Sequence, residues 1–121
     1  MAKRILVVED AEDIRQILTL ALDRAGYQVF PTASGFEGIE IASGVSPDLI
    51  LLDLMLPDLD GFHVCRALKS NSLTRGIPVF MLTARSQRGD RFWGRTVGAE
   101  EYIAKPFDLP DLLNLIRKKV G

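Results

Sequence analysis

The chain is poor in the features that would assign it to several large classes. It has one cysteine, Cys65, which excludes an internal disulfide and suits a reducing compartment. Neither Cys65 nor the only histidine, His63, has partners at metal-ligand spacing, so a buried small cysteine and a surface histidine are expected. Charge of one sign is missing too. Lys and Arg number 15 against 16 Asp and Glu, and a formal charge of −1 gives no general attraction to nucleic acid or anionic membranes. No apolar run approaches the roughly 20 residues that span a bilayer. No signal peptide is recognisable, since Glu9 and Asp10 fall where an apolar segment would have to continue. The G-x-x-x-x-G-K-[ST] loop of nucleotide-binding enzymes does not occur, and neither do repeats, linkers or low-complexity stretches. These absences lead to the expectation of a cytoplasmic domain with no membrane and no direct nucleic-acid contact.

What remains is an ordinary globular composition, 47% hydrophobic and 26% charged, in 121 residues. That length fits one domain, residues 1–121, with a real core. Short β-branched or leucine-rich runs at Ile5–Val8, Gln28–Thr32, Leu49–Leu52, Pro78–Leu82 and Tyr102–Ala104 predict strands. Three of them are nearly all apolar, as central parallel strands covered on both faces are. Helical spacing links Ile14, Ile17, Leu18, Ala21, Leu22 and Ala25 up to Gly26, and again Leu109, Leu112, Leu113, Ile116 and Val120. Shorter helices are predicted over Phe36–Ala42 and Phe62–Lys69. The weakest covers residues 86–97, where Gly89 and Gly94 each cost about 1 kcal/mol against alanine. Five strands alternating with five helices imply a parallel sheet with right-handed crossovers and helices on both faces. The fold expected is a three-layer α/β sandwich ordered 2-1-3-4-5, as in the flavodoxin-like class.

Parallel strands bring their carboxyl ends to one rim, where ligands bind. Glu9 and Asp10 follow the first strand, Asp53 the third, Thr83 the fourth and Lys105 the fifth. Each has a plain alternative: Asp10 as a helix cap, Asp53 as a solvated strand end, Thr83 as a turn residue, Lys105 as a surface cation. Their coincidence on one edge favours a site. Three converging carboxylates repel unless a cation intervenes, and hard oxygen donors without histidine or thiolate suit Mg²⁺. A carboxylate can attack phosphorus, while a cation, an ammonium and a hydroxyl neutralise the phosphoryl oxygens. Lys105 precedes Pro106, and X-Pro bonds are the ones that can be cis.

VVED at 7–10, LLDLMLPDLDG at 51–61, MLTA at 81–84 and GAEEYIAKPF at 98–107, in this order and spacing, resemble the receiver domains of two-component response regulators over essentially the whole chain. The resemblance implies that Asp53 accepts a phosphoryl group from the phosphohistidine of a sensor histidine kinase or phosphotransfer protein. It implies Asp10 as a direct Mg²⁺ ligand, Glu9 as one acting through water, and Met55 as a carbonyl ligand. Thr83 and Lys105 would contact the phosphoryl group, and Tyr102 would be the aromatic switch residue. A domain of this kind promotes its own phosphorylation and dephosphorylation without being a turnover enzyme. Glu9 departs from the commoner Asp, and Met55 and Arg85 occupy positions that vary in the family and tune phosphoryl lifetime.

Two rival readings stand beside this one. Asp58-Leu59-Asp60-Gly61 matches the DxDG signature of haloacid-dehalogenase phosphatases, although Pro57 and a loop separate it from the strand; a turn into the next helix fits better. A pseudo-receiver that never phosphorylates is the other. Arg117, Lys118 and Lys119 fall in a last helical turn, where cations suit the helix dipole. Trp93 and Leu115 are expected on a surface formed by residues 86–97, the fifth strand and the last helix. There they either pack against neighbours or anchor an apolar downstream effector. The simpler expectation is a stand-alone receiver acting by binding, with an attached output domain as the alternative.

Overall fold

The computed structural model describes residues 2–84 and 98–121. Strands β1 (Arg4–Val8), β2 (Gln28–Thr32), β3 (Leu49–Asp53), β4 (Val79–Ala84) and β5 (Glu101–Lys105) alternate with helices α1 (Glu12–Arg24), α2 (Gly35–Val45), α3 (Gly61–Ser70) and α4 (Leu109–Val120). The helix expected over residues 86–97, with Trp93 and Arg85, lies outside the described residues, so four helices are described where five were expected.

All strand pairings among the described residues are parallel, as the alternation of elements predicts, and the order is the flavodoxin-like β2-β1-β3-β4-β5 that was expected. The most apolar strands, β1, β3 and β4, are the three internal ones. Side chains alternate across a strand, which splits the core in two. Leu6, Val8, Ile50, Leu52, Val79 and Met81 meet α2 and α3 through Ala42, Val64, Cys65 and Leu68. Ile5, Val7, Leu49, Leu51, Phe80 and Leu82 meet α1 and α4 through Leu18, Leu22, Leu112 and Ile116.

Edge strand β2 contains Pro31. The Gln28 amide and the Thr32 carbonyl bond toward the β1 side, so by alternation the missing N–H of Pro31 falls on the free edge. There proline costs no ladder bond and discourages a further strand from pairing. At the end of α1, Gly26 takes a φ of 97° and the Tyr27 amide reaches back to the Leu22 carbonyl, the helix stop predicted from the sequence.

Several boundaries differ from expectation, most of them toward longer elements, although β4 begins at Val79 and not at Pro78. Asp53 belongs to β3 and pairs with Leu82; Thr83 and Ala84 belong to β4 and pair with Ala104 and Lys105. Polar side chains therefore ride on ladder positions that hydropathy alone assigns to loops. Helix α2 passes Ala42 and Gly44 to Val45, held by the full burial of Ala42 and closed at Ser46, whose φ is 53°. Packing there outweighs the weak propensity of glycine.

Candidate functional site

By the same alternation, Glu9 continues the Ile5–Val7 row, Asp53 the Leu49–Leu51 row, and Lys105 follows Ile103, all on the α1/α4 side of the sheet. Three strands thus aim three charged groups at one point. Glu9 is fully buried and Asp53 is 3% exposed. Lys105 Nζ donates to Glu9 Oε1 at 2.6 Å and lies 3.2 Å from Asp53 Oδ1. The Met55 amide also donates to Asp53 Oδ1, at 3.2 Å, and the Ala11 amide donates to the second Glu9 oxygen at 3.3 Å. Arg15 secures the β1–α1 turn through the backbone carbonyls of Glu9 and Asp10.

Asp10 is exposed, but its carboxylate joins those of Glu9 and Asp53 in a group whose oxygens lie within 4.8 Å of one another. It does not cap α1: the N-cap position falls to Ala11, and no side chain caps that end. Among the described residues the one ammonium in contact with this group is that of Lys105, which reaches Glu9 and Asp53. Burial, and then the Glu9 carboxylate, push the Asp53 carboxyl up to about 6 from an ordinary 3.8, against the opposing pull of Lys105 and the Met55 amide. For Lys105, burial alone would lower the pKa, but its bond to Glu9 and the charges of Asp53 and Glu9 prevail and raise it. The surplus negative charge and all-oxygen donor set fit a hard divalent cation such as Mg²⁺.

Thr83 is buried near the end of β4, and Tyr102, half-buried, pairs with Met81 one strand away and packs against the α2/α3-side cluster. Met55 is 61% exposed on the loop after Asp53. The Lys105–Pro106 peptide bond is cis. Leu115 is half-buried against the α1/α4-side cluster; Trp93, its expected companion, is outside the described residues.

The DxDG motif resolves into two helix caps. Asp60 is the N-cap of α3, accepting from the His63 amide at 3.0 Å, so the segment is the helix-starting turn expected from Pro57 to Gly61. Asp58 reaches the other way, to the start of α2. It accepts from Ser34 Oγ at 2.7 Å and from the amides of Gly35 and Phe36 at 2.9 and 3.1 Å. Sequence reasoning missed this tether. It also passed over the Ser34-x-x-Glu37 pattern of a capping box. Ser34 does accept from the Glu37 amide at 3.1 Å, while the Glu37 carboxylate takes the Thr32 hydroxyl at 2.7 Å.

With a buried acid, a second acidic pair and a lysine on the carboxyl edge of a 2-1-3-4-5 sheet, comparison with known proteins becomes informative. Residues 5–117 match the family model of the response regulator receiver domain. The chain belongs to the response regulator receiver family. As a receiver it is a signalling module and not a turnover enzyme of the usual kind, and the hydrolase alternative falls. It is 43% identical to the DNA-binding dual master transcriptional regulator RpaA of Synechocystis over 94% of its own length and 47% of that protein's. The corresponding figures for the phosphate regulon regulator PhoB of Escherichia coli are 43%, 97% and 51%. The receiver therefore spans about half the length of these curated relatives. Protein PilH of Pseudomonas aeruginosa is 37% identical over 93% of both chains.

Among solved structures, a Pseudomonas aeruginosa histidine-kinase receiver domain with magnesium coordinated in its active-site cleft has a TM-score of 0.91. It is 31% identical, with 100% of this chain and 99% of that one covered. The Vibrio cholerae chemotaxis protein CheY4 has a TM-score of 0.92 at 30% identity, over 98% and 99%. Among the described residues of this receiver no helix is long and apolar enough to cross a membrane.

Proposed function

We propose that this receiver accepts a phosphoryl group on Asp53 from the phosphohistidine of a sensor kinase or phosphotransfer protein. The observation that carries the reading is the disposition of Asp53. Its carboxylate is buried, and its Oδ1 is engaged by Lys105 and by the Met55 amide. With a pKa of about 6, Asp53 is mostly ionised at neutral pH, as a nucleophile must be. A carboxylate oxygen forms the new O–P bond, the P–N bond breaks, and the imidazole nitrogen leaves with its electron pair.

Glu9, Asp10, Asp53 and the Met55 carbonyl would hold Mg²⁺, which when bound offsets charge on the phosphoryl oxygens. Lys105, already between Glu9 and Asp53, is the ammonium that would pair with the incoming group. The Thr83 hydroxyl would draw toward it and Tyr102 would turn in response. The surface of residues 86–97, β5 and α4, with Trp93 and Leu115, would thereby change its affinity for an apolar partner or an output domain. An intact Asp10, Asp53, Thr83 and Lys105 set weighs against a pseudo-receiver. A reducing, cytoplasmic setting suits the family and the single cysteine.

The test is chemical mapping. After incubation with acetyl phosphate and Mg²⁺, borohydride converts an aspartyl phosphate to homoserine, which peptide mapping should locate at residue 53. Homoserine at residue 58, or none anywhere, would overturn the assignment.

A further inference from the structure

Asp58 touches none of the charged groups of the acidic pocket among its hydrogen-bond partners, yet it sits on the loop that leaves Asp53. That loop, residues 54–60, is pinned along its length. Leu54 is buried, and Leu56 and Leu59 pack into the α2/α3-side cluster, leaving Met55, Pro57 and Asp58 facing out. At its base the Gly61 amide bonds to the Leu54 carbonyl at 2.7 Å. A Cβ on Gly61 would come within 2.6 Å of the Asp53 carbonyl oxygen, so the loop returns directly onto the backbone of Asp53. On its outer side Gly35, in the first turn of α2, approaches nearly as closely: a Cβ there would meet the Leu59 carbonyl oxygen at 2.8 Å. Across this second seam lies the Asp58 carboxylate, with both oxygens engaged by Ser34, Gly35 and Phe36. Those bonds, the Gly35 amide first, pull the Asp58 carboxyl down to about 2.

We infer that Asp58 is a positioning residue for the phosphoacceptor: by tying the 54–60 loop to the start of α2, it holds Met55 in register with Asp53. The mechanical path is short. Met55 has an exposed side chain that gives it little packing of its own, and its amide bond to Asp53 Oδ1 is a long one at 3.2 Å. Its place is therefore set by the anchored residues on either side, Leu54 behind it and Leu56 to Asp58 ahead. An Asp58 that only capped α2 would order the helix and leave Met55 indifferent. The α2 end has anchors of its own: Ser34 Oγ accepts from the Glu37 amide, and the Ser34 amide donates to Thr32 Oγ1.

The inference deepens the proposed phosphoacceptor reading, and its test separates the two. Amide hydrogen exchange by NMR is compared for the wild-type chain, Asp58→Ala and Ser34→Ala. Ser34→Ala removes the helix cap and the Oγ bond to Asp58 but keeps both amide bonds to that carboxylate. Exchange at Met55 should quicken about tenfold or more in Asp58→Ala, which loses all three tether bonds, and by no more than about threefold in Ser34→Ala, which keeps the two amide bonds, although both loosen α2. Mg²⁺ titrated by calorimetry should bind about tenfold more weakly to Asp58→Ala, the size expected for an outer-shell support, and less than twofold more weakly to Ser34→Ala. Unchanged Met55 exchange in Asp58→Ala overturns the tether, as does a parallel change in both variants. A wild-type chain that binds no Mg²⁺ contradicts the metal reading, while Met55 exchange still decides the tether.

Discussion

Lys105 lies closer to Glu9 than to Asp53: its ammonium is 2.6 Å from Glu9 Oε1 and 3.2 Å from Asp53 Oδ1. The lysine is thus drawn chiefly to the acid that is fully buried, and only secondarily to the phosphoacceptor. Truncating it strands a buried carboxylate, a loss that runs to several kcal/mol for fully enclosed pairs. Lys105 keeps 20% of its side-chain surface in water, so the cost should be at the lower end, about 2–3 kcal/mol. Urea melts of Lys105→Ala in EDTA should show that loss, and Glu9→Gln in the same background should recover part of it. A Lys105→Ala variant as stable as wild type would mean that the pair contributes nothing.

The raised pKa of Asp53 sets a pH dependence of definite sign. A carboxyl at about 6 in the folded chain and 3.8 unfolded binds its proton more tightly when folded. Its contribution to stability is therefore greatest below 3.8 and is lost as pH rises through about 6, by at most about 3 kcal/mol. In EDTA, Asp53→Asn should be the more stable protein at pH 7, and the advantage should shrink toward pH 4. Mg²⁺, competing with the proton, should bind more weakly as pH falls below about 6. Thermal melts of the two proteins in EDTA across this range check the first statement, which a constant difference contradicts; wild-type melts with added Mg²⁺ check the second, which a pH-independent gain contradicts.

Two glycines should respond oppositely to the same substitution. Gly44 lies inside α2 with open space around its Cβ position, so Gly44→Ala should stabilise by about 0.5–1 kcal/mol. Gly61 starts α3 with the Asp53 carbonyl oxygen at 2.6 Å and Leu54 Cα at 2.7 Å from that position. These are backbone atoms and cannot rotate away. Gly61→Ala should cost about 1–3 kcal/mol and slow phosphorylation, since the atom displaced belongs to the phosphoacceptor. Denaturation midpoints and phosphorylation rates measured side by side test the pair.

The switch reading makes its own demand. If Tyr102 follows Thr83 on activation, beryllofluoride with Mg²⁺ should perturb the Tyr102 ring resonances in wild type, and Thr83→Ala should abolish the change. Ring resonances that shift equally in Thr83→Ala would break the proposed coupling.

How much was visible in the sequence follows from which forces leave a local trace. The burial of β1, β3 and β4 on both faces writes itself as apolar runs, so the central strands and the shared rim could be reasoned out beforehand, whereas the strand order rested on likeness to the flavodoxin-like class. The ends of β3 and β4 could not, because ladder bonds at Asp53 and Thr83 are indifferent to side-chain polarity. Glu9, Asp10, Asp53 and Lys105 were legible because each immediately follows or ends a strand. Asp58 was misleading: its partners at Ser34, Gly35 and Phe36 are more than 20 residues away, and a tertiary cap has no sequence period. Asp60, which caps locally at a spacing of three, was readable as part of a turn. Leu115, expected on the surface of residues 86–97, β5 and α4, is half-buried against the α1/α4-side cluster.

The central claim is that Asp53, supported by a divalent cation, takes the phosphoryl group. It is tested most directly by intact mass spectrometry after incubation with acetyl phosphate, in Mg²⁺ or in EDTA, on the wild-type chain and Asp53→Asn. A single phosphoryl adduct should form on the wild type in Mg²⁺ and be lost both in EDTA and in Asp53→Asn. An adduct of equal yield in Asp53→Asn, or one that forms as readily in EDTA, would contradict it.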